Sequence, residues 1–412
     1  MIEPLARPDQ SVVIVGAGLA GLRAAEAVRE AGFPGRVVLV GEEAHEPYDR
    51  PPLSKAVLQE EGHERGIALS PEGALAGLGV ELRLGRRAVA IDRKAREVEL
   101  ADGERIAYDR LVLATGSRVR ALDILPPGAA GVHYLRGLDD ALALRAALKT
   151  GGRLAVVGGG VIGMEVAASA RALGCECVVI EAGPRLMARA AAPAVSTFLH
   201  KRHLAEGVDV RLGVTVAAAE PSASPGAWRL RLSSGETIEA QAVVVGVGVS
   251  PNIDLARDCG LEVRPEGVVV DGFGATSDPA VYAAGEVALH LNDLYGRHDR
   301  QETWAHAAAH GQHVGEALVS PTQAYRQPPS YWSDQYDINL QVTGLATGDT
   351  DVVRGDPALG RFLVFHLAGG RIEGVSAVNA VRELRTAKRL IGACPADLEA
   401  LADPARELKI EA

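Results

Sequence analysis

Two glycine triplets in this 412-residue sequence have the spacing that accepts a pyrophosphate. Gly16, Gly18 and Gly21 follow the apolar run Val12–Val15 and precede an Ala- and Leu-rich stretch. This order predicts a strand, a tight turn and a helix, in which the second glycine lets the backbone approach a phosphate. Glu42, about twenty residues further on, is placed to accept hydrogen bonds from an adenosine ribose. We call this arrangement the first cradle.

A second cradle repeats the pattern later in the chain, at Gly158, Gly160 and Gly163. Glu181 stands at the matching strand end. A carboxylate there would repel the 2′-phosphate of NADP and accept a hydrogen bond from the free hydroxyl of NAD. Arg185 and Arg189 weaken that preference slightly, because either could reach a phosphate. The sequence therefore predicts two bound dinucleotides, the second of them NAD.

The elements that hold the cradles follow a strand–turn–helix–strand order, which is typical of an α/β fold. YDRLVLATG and QAVVVGVGVSPN indicate crossings between domains near residues 116 and 246. After about residue 325, short strands alternate with Gly-rich turns, as in an antiparallel sheet. We predict two nested Rossmann-like dinucleotide-binding domains plus a C-terminal α+β domain. The predicted boundaries are 1–115 and 246–324 for the first domain, 116–245 for the second and 325–412 for the third.

Composition limits the partners and the compartment. The formal net charge of −10 argues against nucleic acid or an anionic membrane as the main partner. The four cysteines form no Cys-x-x-Cys pair, which favours a reducing compartment. The first ten residues lack the basic end and apolar stretch of a signal peptide, and no apolar run is long enough to span a membrane. We expect a cytoplasmic protein.

A more particular signal is the segment Tyr48-Asp-Arg-Pro-Pro-Leu-Ser-Lys55, which resembles the signature of ferredoxin reductases. Further landmarks stand in the order of that family, at Leu113–Gly116, Thr276, Ala283–Glu286 and Tyr331–Tyr336. Over essentially its whole length, the chain is similar to the FAD-dependent, NADH-using reductases of bacterial Rieske dioxygenases and class I cytochrome P450 systems. Apoptosis-inducing factors are relatives of this family.

The resemblance implies a glutathione-reductase-like flavoprotein fold, with FAD on the first domain and NADH on the second. It also implies a [2Fe–2S] ferredoxin as an acidic partner that docks transiently. Lys55, near the reactive edge of the flavin, and Glu165, near the nicotinamide, are the implied catalytic residues, and they could pair. The residues implied to bind FAD are Gly16, Gly18, Ala20, Gly21, Glu42, Arg50, Lys55, Val89, Ala114, Thr115, Gly116, Arg136, Gly285, Glu286, Thr303, Trp304 and Trp332. Those implied to line the NAD path are Gly158, Gly160, Ile162, Gly163, Glu165, Glu181 and Gly246.

Glu286 departs from the family pattern, which has Asp there to bind the ribityl chain. The extra methylene could shift the flavin or the start of the helix, and we expect binding to persist. Trp332 could cover the flavin, with core packing as the alternative. Arg382, Arg385 and Arg389 recur at helical spacing with Lys388 beside them. They form either a ferredoxin-docking face or a solvated helix face.

Other side-chain clusters have simpler interpretations. Disulfide-reducing flavoenzymes need a redox cysteine soon after the first domain's second strand, and none occurs before Cys175. Cys175 and Cys177 alternate on a predicted strand, which indicates buried structural cysteines. His306, His310 and His313 have a spacing that could bind a metal on a helix. We expect scattered surface histidines there instead, and no metal.

Three other functions remain as alternatives. A signalling flavoprotein like the apoptosis-inducing factors, with little turnover, would share the fold. An NADH oxidase or diaphorase would share the flavin reduction but not the ferredoxin. A membrane-associated NADH:quinone reductase would need an apolar amphipathic tail, and the C-terminal segment CPADLEALADPARELKIEA is too acidic for one.

Overall fold

The computed structural model describes residues 5–320 and 323–408. The chain forms two compact units, and each holds one of the cradles. Unit 1 consists of Met1–Asp49, Arg65–Arg118 and Val249–Pro329. Unit 2 consists of Arg50–Glu64, Val119–Gly248 and Ser330–Ala412. The segment Arg50–Glu64 therefore groups with the second cradle, although it follows the first cradle in the sequence.

A five-stranded parallel sheet is the centre of unit 1. Its strands lie in the order Val281–Ala283, Arg110–Leu113, Ser11–Val15, Arg36–Val40 and Val80–Arg83. The middle strand is apolar and buried along most of its length because helices pack on one face of the sheet and strands of the smaller sheets pack on the other. Helix Leu19–Glu30 follows it and packs closely on helix Trp304–Val319, where a Cβ on Gly311 would lie 2.3 Å from the carbonyl oxygen of Ala20.

Smaller sheets complete unit 1. One is antiparallel, with strands Ala88–Asp92, Glu97–Leu100 and Arg105–Ala107. Another contains Val263–Arg264, Gly267–Val270, Ala288–Asn292 and Arg297–Asp299. Further short elements of unit 1 are helices Ala74–Gly77, Asp254–Asp258 and Gly285–Val287, and strand Val249–Pro251. Helix His63–Gly66 and strand Ser117–Val119 lie where the chain passes from one unit to the other.

Unit 2 repeats the parallel architecture. Its sheet has the strand order Val208–Leu212, Glu176–Glu181, Arg153–Val157, Ala242–Val245 and Val132–His133. Its longer helices are Leu138–Lys149, Val161–Ala172 and Pro193–Ala205. An antiparallel sheet of Val216–Pro221, Trp228–Leu232 and Thr237–Ala240 lies between its last two parallel strands in the sequence. The segment after Arg50 forms the short helices Pro51–Ser54 and Ala56–Gln59.

The C-terminal part of unit 2 is a five-stranded antiparallel sheet with helices at its end. The strands lie in the order Ser330–Gln335, Ile338–Gly344, Arg371–Val378, Arg361–Ala368 and Thr350–Asp356. Short helices follow within and after the sheet, at Pro357–Leu359, Val381–Ala387, Lys388–Leu390 and Leu398–Ala402. The predicted change from parallel to antiparallel architecture is confirmed.

Each cradle helix therefore starts at the carboxyl end of a buried parallel strand, where ligands bind in open α/β sheets. Within the described ranges, no helix is both long and apolar enough to cross a bilayer.

Candidate functional site: two dinucleotide cradles and a buried ion pair

The outer glycines of the first cradle are crowded by backbone atoms, and the middle one is not. Gly16 has a φ of +115°, and a Cβ there would lie 2.1 Å from the carbonyl oxygen of Ala114. A Cβ on Gly21 would lie 1.9 Å from the carbonyl oxygen of Gly16. Gly18 differs, because its Cβ position has no described atom within 4 Å. The outer glycines are required by the fold, and the middle one leaves space for a ligand.

The second cradle has the same division. Gly158, with a φ of +111°, would place a Cβ 2.4 Å from the carbonyl oxygen of Gly246. A Cβ on Gly163 would lie 2.1 Å from the carbonyl oxygen of Gly158. The space around Gly160 is open to 4 Å among the described atoms. The predicted repetition of one design is thus present in the backbone as well as in the sequence.

Both cradle helices begin in a way that suits an anion. The N-caps are Gly18 and Gly160, which offer no side-chain cap, and neither helix has an acidic residue in its first turn. The first N–H groups of a helix lack intrahelical partners and carry a partial positive charge. A pyrophosphate fits both positions, because it would accept from these N–H groups in the open space beside the middle glycine.

The two predicted ribose-binding acids differ in how they are held. Glu181 ends strand Glu176–Glu181, and its carboxylate accepts the N–H groups of Gly159 and Gly183, each at 2.6 Å. It is therefore fixed beside the second cradle. Glu42 lies two residues after strand Arg36–Val40, with 70% of its side chain exposed and Arg87 at 3.8 Å. Glu42 is therefore the less constrained acid of the two.

Arg185 is held away from the role of a phosphate ligand. Its guanidinium donates to the carbonyl oxygen of Ala191 at 2.6 Å and to that of Ala188 at 3.0 Å. These bonds tie it to its own loop. Arg189 is exposed, and its Nη2 would lie 3.3 Å from a Cβ on Gly248.

Lys55, which is partly exposed, forms an ion pair with the buried Glu165 in unit 2. Lys55 Nζ lies 2.8 Å from Glu165 Oε2 and 3.0 Å from the carbonyl oxygen of Pro51. Ser54 Oγ donates to the same carboxylate oxygen at 2.5 Å, and Ser333 Oγ donates to Oε1 at 2.7 Å. Glu165 is only 2% exposed, so these donors satisfy a charge that has lost its water.

The sequence did not indicate Ser54 or Ser333 as partners of this carboxylate. Ser54 was visible within the segment Tyr48–Lys55, and Ser333 within the segment Tyr331–Tyr336. Both segments carry the family resemblance, but no local pattern indicates that they meet at one side chain.

The segment that carries Lys55 is fastened to the helices of unit 2. Arg145 donates to the carbonyl oxygens of Val57 and Glu60, both at 3.2 Å, and to the Glu64 carboxylate at 2.7 Å. At the other end of the segment, Arg50 donates to the carbonyl oxygen of Arg136 at 2.6 Å. The position of Lys55 is therefore set by tertiary contacts as well as by its own short helices.

The other residues implied to bind FAD in unit 1 surround the first cradle strand or lie on neighbouring elements. Thr115 Oγ1 donates to the carbonyl oxygen of Asn252 at 2.9 Å, which fixes the loop Ala114–Gly116. Trp304 Nε1 donates to Asp49 at 2.7 Å, and Thr303 caps the helix that begins there. Ala20 is buried, and the turn Gly285–Glu286 packs against it. Val89 is 47% exposed and lies where the pairing of strand Ala88–Asp92 with Glu97–Leu100 shifts register.

The remaining implied positions belong to unit 2. Ile162, in the first turn of the second cradle helix, is 45% exposed, which is unusual for an isoleucine and leaves it free to contact a ligand. Gly246 follows strand Ala242–Val245 and donates its N–H to Val157. Trp332 lies on strand Ser330–Gln335, on the opposite face from Ser333.

The histidines of helix Trp304–Val319 correct one expectation. His306 and His310 are buried rather than scattered on the surface, and both pack against His290 and Tyr325. His306 and His310 lie on the side of the helix that faces the core of unit 1. The spacing of the histidines in the sequence does not predict which side of the helix is buried. Among the described residues, no group of His, Cys, Asp or Glu is arranged to hold a metal ion.

The cysteines agree with their predicted structural role. Cys175 and Cys177 are buried and not bonded to each other, and burial raises the pKa of Cys177 to about 12. A thiol with so high a pKa is a poor nucleophile. Cys175 lies one residue before strand Glu176–Glu181 rather than on it.

Comparison with known proteins agrees with this geometry. Residues 10–311 match the family described as pyridine nucleotide-disulphide oxidoreductase, and residues 330–411 match the reductase C-terminal family. A relative from Burkholderia cepacia, the ferredoxin–NAD(+) reductase component of an anthranilate 1,2-dioxygenase system, is 46% identical over 96% of this chain and 98% of its own length. The reductase component of a p-cumate 2,3-dioxygenase system from Pseudomonas putida is 42% identical over 97% of each chain.

A solved structure gives the same result. The covalent complex of putidaredoxin reductase with putidaredoxin contains a chain that matches with a TM-score of 0.92 and 36% identity, covering 96% of both chains. The chain therefore belongs to the pyridine nucleotide-disulphide oxidoreductase family, among its ferredoxin–NAD(+) reductases.

Proposed function

We propose that this chain binds FAD at the first cradle and NADH at the second, takes hydride from NADH onto the flavin, and passes the electrons singly to a [2Fe–2S] ferredoxin. The observation that carries the proposal is the pair of matching cradles, each with an open middle glycine and an acid at or just after the end of the next strand. Relatives named as parts of dioxygenase systems and of a cytochrome P450 system support a ferredoxin that feeds such an oxygenase.

FAD at the first cradle is supported by the donors and by the space there. The N–H groups at the start of helix Leu19–Glu30 would bind the pyrophosphate, and Glu42 would bind the ribose hydroxyls. Gly285 packs against Ala20 and leads into Glu286, which would face the ribityl chain. Glu286 replaces the family's Asp and lies in the short helix Gly285–Val287.

NADH is favoured over NADPH by the charges at the second cradle. Glu181 is held in place by two backbone N–H groups and would repel a 2′-phosphate. Arg185 is occupied by carbonyl oxygens of its own loop, so it is not poised to offset that repulsion. Arg189 is the remaining cation of this loop, and it is exposed.

The Lys55–Glu165 pair would serve the redox step through charge and orientation. The bound flavin and nicotinamide supply the hydride chemistry themselves. The Lys55 ammonium would stabilise negative charge that develops on the flavin, and Glu165 would accept a hydrogen bond from the nicotinamide amide. Glu165 Oε1 accepts one bond from a described residue, from Ser333, and so retains capacity for another.

The balance of the overall reaction fits a ferredoxin partner. One NADH delivers two electrons as hydride, two ferredoxins each accept one electron, and one proton is released. Ferredoxin docking would use the C-terminal basic residues, because Arg382, Arg385, Lys388 and Arg389 are all exposed. They form a basic patch on a protein with a net charge of −10, which suits a small and transient encounter with an acidic partner.

The experiment that tests the proposal is cytochrome c reduction by the FAD-loaded protein and NADH, with and without a [2Fe–2S] ferredoxin. We expect the visible flavin absorbance to bleach on anaerobic addition of NADH, and cytochrome c reduction to depend on the ferredoxin. Full activity without ferredoxin would favour a diaphorase or an oxidase instead. Bleaching without any electron acceptance by ferredoxin would favour a flavoprotein of low turnover.

A further inference from the structure

A line of hydrogen bonds runs from Glu165 through the interior of unit 2 to Tyr336. Ser333 Oγ lies 2.7 Å from Glu165 Oε1, and Gln335 Nε2 lies 3.0 Å from Ser333 Oγ. His203 Nε2 then lies 2.8 Å from Gln335 Oε1, and the Tyr336 hydroxyl lies 2.9 Å from His203 Nδ1. We call these five residues the Glu165 chain.

Three separate segments of unit 2 supply the Glu165 chain. Glu165 lies on the second cradle helix, and His203 lies on helix Pro193–Ala205. Ser333 and Gln335 share one face of strand Ser330–Gln335 because they are two residues apart. Tyr336 follows that strand in a left-handed conformation, with a φ of +58°. The four members from Glu165 to His203 are each at most 2% exposed, so water cannot replace these bonds.

The carboxylate fixes the direction of every bond in the Glu165 chain. Glu165, paired with the Lys55 ammonium, can only accept, so Ser333 donates its hydroxyl proton to it. The Ser333 oxygen then accepts from the Gln335 amide, whose own oxygen accepts from His203. His203 must therefore carry its proton on Nε2, and its Nδ1 accepts from the Tyr336 hydroxyl. Every donor points toward Glu165.

We propose that Ser333, Gln335 and His203 are positioning residues for hydride transfer, which hold the Glu165 carboxylate in the orientation that serves Lys55 and the nicotinamide. This inference rests on the proposed function, since it assigns Glu165 to the nicotinamide. A series of donors that all point one way is polarised along its length, so each bond strengthens the next. Without Ser333, one carboxylate oxygen would lose its donor and the carboxylate could rotate about its last bond.

The surroundings of His203 keep it in the single-proton form that the Glu165 chain requires. Burial lowers the pKa of His203 to about 4, while the Gln335 hydrogen bond and Glu206 act in the opposite direction. Arg202, whose guanidinium carbon lies 5.3 Å from the centre of the Tyr336 ring, and His200 add to the lowering. At neutral pH the ring therefore has one proton to place, and Gln335 decides which nitrogen holds it.

The test of position uses Ser333→Ala and a matched control, Ser376→Ala. Both serines are 1% exposed on the same antiparallel sheet, and Ser376 bonds to His366, 2.7 Å away, rather than to the Glu165 chain. In anaerobic stopped-flow experiments with FAD-loaded protein, we expect Ser333→Ala to slow flavin reduction at saturating NADH about tenfold. The concentration of NADH that gives half the maximal rate should change little. In Ser376→Ala, NADH should reduce the flavin at the wild-type rate.

Gln335→Met tests a member of the Glu165 chain that lies one bond further from Glu165. It removes the amide nitrogen and oxygen of Gln335 and keeps a side chain of similar volume. Ser333 can still donate to Glu165 in this variant, so we expect a smaller loss, about threefold. Ser333→Thr, which restores the hydroxyl, should recover most of the rate lost in Ser333→Ala. Failure of Ser333→Ala to slow the reduction, or an equal loss in Ser376→Ala, would overturn the positioning role.

A spectroscopic readout separates this inference from the proposed function. Nitrogen-15 NMR of histidine-labelled protein, with the His203 signals identified by their loss in His203→Gln, should show the tautomer protonated at Nε2. Gln335→Met should change that signal, because the constraint on the ring is removed. A His203 ring protonated at Nδ1 would overturn the direction of the Glu165 chain. If NADH did not reduce the wild-type flavin, the proposed function would fail. The tautomer of His203 would still show whether the hydrogen bonds of the Glu165 chain have the proposed direction.

Discussion

We propose that Glu181 is the residue that decides between NADH and NADPH. Its two carboxylate oxygens are held by the N–H groups of Gly159 and Gly183, so the charge stays beside the second cradle. A fixed charge discriminates better than a mobile one, because a 2′-phosphate cannot push it aside without breaking those bonds.

Glu181→Gln removes that charge at constant size. We predict that kcat/KM for NADH falls about fivefold, because a ribose hydroxyl bonds more weakly to an amide than to a carboxylate. The kcat/KM for NADPH should rise, since the repulsion is gone. Steady-state kinetics with both cofactors checks this, with Glu176→Gln at the exposed start of the same strand as the control. An equal loss with both cofactors would contradict the role of Glu181.

The buried histidines of unit 1 make stability depend on pH. Burial lowers the pKa of His290 to about 4 and that of His306 to about 3, and it lowers the pKa of His310 as well. In the unfolded chain these groups would titrate near pH 6.5. Below that pH the unfolded state binds more protons, so folding stability is present at neutral pH and is lost as the pH falls.

His290→Phe tests this directly, because both His290 ring nitrogens lack a hydrogen-bond partner among the described residues. The pH dependence of the free energy of unfolding should become shallower by up to about 1.4 kcal/mol per pH unit below pH 6. Urea denaturation between about pH 5 and pH 7 measures it. A slope unaltered in His290→Phe would show that His290 does not carry this effect.

At the scale of elements, each cradle separates folding from binding. A Cβ at Gly21 would overlap the backbone of Gly16, whereas a Cβ at Gly18 would enter open space. We predict that Gly21→Ala lowers the yield of folded protein, and that Gly18→Ala folds but retains less FAD. Circular dichroism and the visible flavin absorbance distinguish the two outcomes. Equal FAD retention in Gly18→Ala and the wild type would contradict the proposal that the pyrophosphate lies beside Gly18.

The C-terminal basic patch is the second element with a testable role. The sequence suggested one helix for Arg382, Arg385 and Arg389, but the α-helix Val381–Ala387 ends before Arg389, which lies on the following turn Lys388–Leu390. All three side chains are nevertheless exposed.

Charge reversal of this patch should act on docking alone. We predict that changing Arg382, Arg385 and Arg389 to Glu lowers kcat/KM for ferredoxin at least about tenfold at low salt, because charge steers such encounters. Flavin reduction by NADH should be unchanged. Arg229→Glu with Arg231→Glu, on an exposed strand face elsewhere in unit 2, is the control. Unchanged ferredoxin kinetics in the triple variant would exclude this patch from docking.

Local patterns in the sequence were sufficient for the cradles and their strands. A run such as Val12–Val15 and a glycine triplet are determined within about thirty residues, so their structure follows from periodicity and backbone sterics. Contacts between distant segments were not accessible in this way. Arg145 bonding the Lys55 segment, Ser333 reaching Glu165 and the burial of His306 all depend on tertiary packing.

At the scale of the whole molecule, the chain joins a two-electron donor to a one-electron acceptor. Each unit contributes one cradle at the carboxyl end of a parallel sheet, and unit 2 also carries the Lys55–Glu165 pair and the basic patch. An enzyme of this design needs no general base and no redox cysteine, in agreement with the buried, high-pKa thiol of Cys177.

The most direct measurement of this account is the anaerobic titration of oxidised [2Fe–2S] ferredoxin with NADH in the presence of a catalytic amount of the FAD-loaded protein. We predict that two ferredoxins are reduced for each NADH consumed, and that NADPH at the same concentration supports a far slower reaction. Consumption of NADH without reduction of ferredoxin, or equal rates with NADH and NADPH, would contradict it.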